Sequence, residues 1–144
     1  MADEPAAAHK ILIVDDDDDI LNTMRVALTE LGQPIFTARD GLEAVDLAAR
    51  EDPDIIVLDL MLPRRGGFQI LSNLKGKPDM KGKRPLTCMV TGNEGMLHLK
   101  LAERLGVDAY LRKPFAMARL LEVVQRFVKD LEAGVPDAKP KAKP

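Results

Sequence analysis

The chain has 144 residues, 46% apolar and 31% charged, enough to bury one core of ordinary size; a net charge of −2 argues against a general nucleic-acid binder, which is usually basic. Its single cysteine, Cys88, excludes an internal disulfide framework, fits a reducing compartment and reads as a small buried hydrophobe. The N-terminal MADEPAAAH is acidic and lacks an apolar h-region, and no apolar run reaches membrane-spanning length, so a cytoplasmic single domain without membrane insertion is expected.

Residues 1–9 are expected to form a disordered N-terminal segment. The first predicted strand, Ile11–Val14, runs straight into the five aspartates Asp15–Asp19. Helical spacing follows: Ile20, Leu21, Met24, Ala27, Leu28 and Leu31 share a face, and Gly32 is a stop signal. A second strand spans Ile35–Ala38. The next helix opens at Asp40, with Glu43 three residues on, a pattern resembling a capping box. The third strand, Ile55–Leu58, lies in IIVLDLMLP and is closed by Asp59.

From Arg64 to Arg84 seven cations (Arg64, Arg65, Lys75, Lys77, Lys81, Lys83 and Arg84) stand against one acid, Asp79, and read as a solvated loop. The fourth strand, Leu86–Val90, leads to Thr91 in LTCMVTGN, and the fifth, Ala109–Leu111, leads to Lys113 in YLRKPF. The final helix carries the stripe Met117, Leu120, Leu121, Val124, Phe127, Val128 and Leu131 and stops at Gly134 and Pro136. Ala116 stands where a better N-cap residue is expected. Residues 134–144 form a Pro/Lys/Ala-rich tail that reads as extended and solvated.

Strands alternating with helices imply βα units and a parallel sheet covered on both faces, over residues 10–133. In such a sheet ligands bind at the carboxyl ends of the strands. Asp15 and Asp16 end the first strand and Asp59 ends the third. If these two strands are neighbours, three carboxylates meet on one rim, which is costly without a cation. Oxygen donors with room for water suit Mg²⁺. Thr91 offers a hydroxyl and Lys113 an ammonium at two further strand ends. Together these groups describe a phosphoryl site in which Asp59 is the nucleophile.

The ordered set VDDDDDI, VLDLMLP, VTGN and DAYLRKPF resembles the receiver domain of two-component response regulators. The resemblance implies a flavodoxin-like, doubly wound (βα)₅ fold with strand order 2-1-3-4-5. It implies Asp59 as phosphoacceptor, with Asp15, Asp16, Asp59 and the Met61 backbone carbonyl holding Mg²⁺. Thr91 and Lys113 would contact the phosphoryl group, Thr91 and Tyr110 would form the switch, and the Lys113–Pro114 bond would be cis. It further implies phosphorylation by a sensor histidine kinase or phosphotransfer protein, and an output protein whose identity the sequence does not give. The chain would be a signalling phosphoacceptor rather than a turnover enzyme, with no direct contact to nucleic acid. Met61 and Asn93 would flank the phosphoryl group; neither can serve as a general acid or base.

Asp17, Asp18 and Asp19 read as helix-start acids favoured by the helix dipole. His9 and His98 are too few and too far apart for a metal site. Two rival functions remain at this point. A phosphorylation-independent pseudo-receiver would lack the acceptor, the acid pair or the lysine, and all are present. A Mg²⁺-dependent phosphohydrolase with an aspartyl nucleophile commonly has a second aspartate two residues on, where this chain has Met61.

Overall fold

Five strands, β1 (Ile11–Val14), β2 (Ile35–Ala38), β3 (Ile55–Asp59), β4 (Leu86–Thr91) and β5 (Ala109–Arg112), pair in parallel in the order β2-β1-β3-β4-β5. The computed structural model describes residues 9–59, 85–92, 100 and 106–133. The expectations for residues 1–8, Met61, the Arg64–Arg84 loop, Asn93, His98 and the tail from 134 onward lie outside those residues. So do those for most of the connections after β3 and β4.

All of β1 and β3 is buried, as expected for strands apolar throughout and covered on both faces. The edge strands differ. In β2 only Ala38 is fully buried, and in β5 only Leu111, because each has a sheet neighbour on one side only. Strands three, four and five each run one residue further than their apolar runs, ending on Asp59, Thr91 and Arg112. The parallel ladder continues through these polar positions because backbone pairing is indifferent to the side chain.

Three described helices cover the sheet: α1 (Asp18–Leu28), α2 (Gly41–Glu51) and α3 (Met117–Glu132). Alternation along the strands sorts the core into two layers. Ile11, Ile13, Ile55, Val57, Cys88, Val90 and Leu111 pack with Leu21, Met24 and Leu28 of α1 and Leu120, Val124, Phe127 and Val128 of α3. Leu12, Val14, Ile56, Leu58 and Met89 face the other way, against Ala44 and Ala48 of α2. The sheet is thus wound on both sides. Burial pushes the Cys88 thiol up to about 12, which keeps it a neutral core group.

The helix ends follow their local chemistry. Asp17 caps α1, its carboxylate accepting from the Asp19 and Ile20 amides. The helix tightens into a 3₁₀ turn over Thr29–Leu31 and stops at Gly32, whose φ of 71° is the left-handed conformation glycine tolerates. Asp40 caps α2 by accepting from the Glu43 amide. Glu43 does not return the bond to Asp40, as a standard capping box would; it accepts from the Arg39 amide at 2.8 Å.

A fully buried leucine or isoleucine contributes about 2 kcal/mol. The exposed pairs Arg50–Asp46 and Arg119–Glu122, at 3.4 and 3.8 Å, contribute at most a fraction of that. The layered core therefore holds the scaffold and leaves the rim free to gather like charges. Among the described residues, no helix is long and apolar enough to cross a membrane.

Candidate functional site

Sheet register builds the site. Val14 pairs with Leu58, so the next residues, Asp15 and Asp59, stand side by side at the carboxyl rim. Thr91 pairs with Arg112, which places Lys113 just beyond the end of β5. Asp15 is fully buried and Asp59 is 5% exposed, whereas Asp16 is exposed. One carboxylate oxygen from each of the three lies within 4.8 Å of the others.

The Lys113 ammonium reaches into this cluster. Its Nζ donates to Asp15 Oδ2 at 3.3 Å and lies 3.6 Å from Asp59 Oδ2. The Lys113–Pro114 peptide is cis. The other Asp15 oxygen, Oδ1, accepts the Asp17 amide at 2.9 Å, and the Asp15 amide donates to the Ala38 carbonyl at 3.1 Å. Asp15 is therefore held both by its own segment and by the end of β2.

Electrostatics follow from burial and neighbours. Burial raises the Asp15 carboxyl above its ordinary value; the Asp17 amide and the Lys113 charge only partly counter it. Burial works against the Lys113 ammonium, but Asp59 and Asp15 outweigh it, and its pKa is raised. Among the described residues, three convergent carboxylates thus face one ammonium, an excess of negative charge when all are ionised. A hard divalent cation offsets such an excess, and an all-oxygen donor set with one exposed member leaves room for its waters. The residues present fit Mg²⁺.

The remaining aspartates divide their work. Asp17 caps α1, Asp18 pairs with Arg39, and Asp19 is exposed. Sequence reasoning missed Arg39, because its partner is 21 residues away and no local pattern marks it. Thr91 is the last residue of β4, at the same rim. Tyr110 is half-buried and packs against the layer of Leu12, Val14 and Met89. The Met61 carbonyl lies outside the described residues. The structure thus brings together Asp15, Asp16, Asp59 and Lys113.

Comparison with known proteins agrees with this architecture. Residues 11–125 match the family model described as the response regulator receiver domain. A CheY-like response regulator receiver domain protein from Methanospirillum hungatei JF-1 is 27% identical, with a TM-score of 0.78 over 89% of this chain and 99% of that one. The N-terminal domain of an uncharacterised protein from Wolinella succinogenes is 30% identical, with a TM-score of 0.80 over 88% and 99%. The receiver domain of a sensor histidine kinase from Pseudomonas aeruginosa PAO1, solved with a magnesium ion coordinated in its active-site cleft, is 27% identical. Its TM-score is 0.73 over 85% of this chain and 99% of that one.

Proposed function

This chain belongs to the response regulator receiver domain family of two-component signalling, and on that premise we propose that it accepts a phosphoryl group on Asp59 and passes the signal to a protein partner. The observation that carries the proposal is the convergence of the Asp15, Asp16 and Asp59 carboxylates with the Lys113 ammonium at the carboxyl rim of the sheet.

An Asp59 carboxylate oxygen attacks the donor phosphorus as the bond to the leaving group breaks. With a phosphohistidine of a sensor kinase or phosphotransfer protein, the P–N electron pair leaves with the imidazole, and Asp59 becomes an acyl phosphate. Lys113, held charged by its two carboxylates, is placed to pair with a phosphoryl oxygen. Asp15, Asp16, Asp59 and the Met61 carbonyl are the groups that would hold Mg²⁺. When bound, the ion supplies charge compensation for the transferring group. Thr91 and Tyr110 would relay the change. The phosphoryl group ends on the protein's own side chain, so the chain is a phosphoacceptor rather than a turnover enzyme, acting in the cytoplasm.

Incubation with Mg²⁺ and acetyl phosphate tests the reading by intact-mass measurement. One phosphoryl group should add to the wild-type chain and none to Asp59→Asn. An unchanged wild-type mass, with the fold intact and the metal present, sinks the proposal.

A further inference from the structure

The rim carries a second ionic contact. Arg39, in the β2–α2 loop, forks onto the Asp18 carboxylate, Nε to Oδ1 at 3.0 Å and Nη2 to Oδ2 at 3.3 Å. Its own backbone is fixed, since the Arg39 amide donates to Glu43 Oε1 at 2.8 Å in the first turn of α2. Asp18 is the first residue of α1, directly after the N-cap Asp17. The Asp17 amide in turn donates to Asp15 Oδ1. One residue before Arg39, at the end of β2, the Ala38 carbonyl accepts the Asp15 amide.

The segment from Asp15 to Asp18 is therefore stitched twice to the chain leaving β2, Asp15 to Ala38 through the backbone and Asp18 to Arg39 through the side chains. Between the stitches lies Asp16, the exposed member of the carboxylate trio, together with Asp17. Neither stitch touches Asp16 itself. Its carboxylate is aimed only as well as the short segment from Asp15 to Asp18 is fixed at both ends. A bidentate guanidinium fork suits that task, because it restrains direction as well as distance.

We propose that Arg39 is a positioning residue for the metal site, acting through Asp18 to hold the segment that presents Asp16. The proposal rests on the receiver reading, which supplies the Mg²⁺, and it predicts a sign opposite to that of simple charge. Arg39 is a cation near a cation site. If its charge were all that mattered, removing it would tighten Mg²⁺ binding. If it positions, removing it weakens binding.

The test is the Mg²⁺ dissociation constant from calorimetric titration of the full chain, with circular dichroism checking the fold. For an exposed pair the expected loss is modest, about two- to five-fold for Arg39→Ala. Asp18→Asn should weaken binding as well. The double variant should be no worse than the weaker single one, since both remove the same staple. Arg39→Lys, which keeps the charge and loses the fork, should fall between wild type and Arg39→Ala.

Amide exchange on the metal-free chain gives a second readout, in which Arg39→Ala should speed exchange at Asp17. Tighter Mg²⁺ binding by Arg39→Ala, or additive effects of opposite sign in the two single variants, overturns the proposal. A wild-type chain that takes up no Mg²⁺ overturns the receiver reading instead. In that case unchanged exchange at Asp17 in Arg39→Ala would reject the staple as well, and faster exchange would retain it as a structural contact only.

Discussion

At the scale of single residues, Asp15 and Lys113 show how one contact fixes opposite charges under different constraints. Asp15 is fully buried, and its carboxyl titrates above the ordinary value; Lys113 is partly exposed, and its ammonium is also raised. Both shifts act on stability with the same sign. A group whose folded pKa is raised contributes stability below its unfolded pKa and loses it as pH rises through the folded pKa. For Asp15 that window opens upward from the ordinary carboxylate value of 3.8. Asparagine stays neutral throughout. In EDTA, the stability of Asp15→Asn relative to wild type should therefore increase as pH rises from the acid side toward neutrality, measured by denaturant unfolding. A pH-independent difference would contradict the burial argument.

For Lys113 the window lies above the ordinary lysine value of 10.5. Lys113→Met should destabilise the metal-free chain at neutral pH by about 1–2 kcal/mol, because it leaves buried carboxylates without that ammonium, an effect reduced by partial exposure. The difference from wild type should shrink once the medium passes above the raised Lys113 value. Unfolding curves collected across the alkaline range check this.

At the scale of elements, each described helix start is a separate local solution. Asp17 and Asp40 supply side-chain caps to α1 and α2. Ala116 has the extended backbone of an N-cap, φ −78° and ψ 142°, and no side-chain bond to the helix it opens. The geometry for a cap is present and only the oxygen is missing. Ala116→Ser should raise stability by about 0.5–1 kcal/mol, and Asp40→Ala should lower it by about 1 kcal/mol. Chemical denaturation of both variants checks the pair; equal stability for Ala116→Ser and wild type would show that the N-terminal amides of α3 already have sufficient partners. Asp52, which ends α2 at φ 51°, is the described non-glycine residue held in the left-handed region.

At the scale of the whole molecule, β4 joins the carboxyl rim at Asp59 to β5 through the sheet. On the proposed function, phosphorylation would add negative charge and acceptor oxygens at Asp59. β4 pairs with both β3 and β5, so Thr91 stands on the strand between the acceptor and Tyr110. On the proposed reading, the Thr91 hydroxyl moves toward the new oxygens and Tyr110 turns inward, biasing two pre-existing states. Thr91→Ala should leave Asp59 able to accept a phosphoryl group while uncoupling that event from partner binding. Tyr110→Ala should weaken partner binding without greatly slowing phosphorylation. On that reading the output surface includes β5 and α3, so amide exchange should change there on phosphorylation; a response confined to α2 would reject it.

The sequence by itself determined the strands, the described helices and the aspartates at two strand ends, because each rests on periodicity or on chemistry a few residues wide. It also carried the site through ordered motifs, since Asp15 and Asp59 each directly follow an apolar run that announces a buried strand, and Lys113 stands in the YLRKPF motif just beyond the last strand. Tertiary structure decided what those residues touch. The Lys113–Asp15 contact spans 98 residues, and Arg39 meets Asp18 across 21. Both depend on parallel register and on which strands are neighbours, which no local window contains. The half-buried edge strands have the same cause: an apolar run states that a strand wants cover, but only the sheet order decides how much it receives.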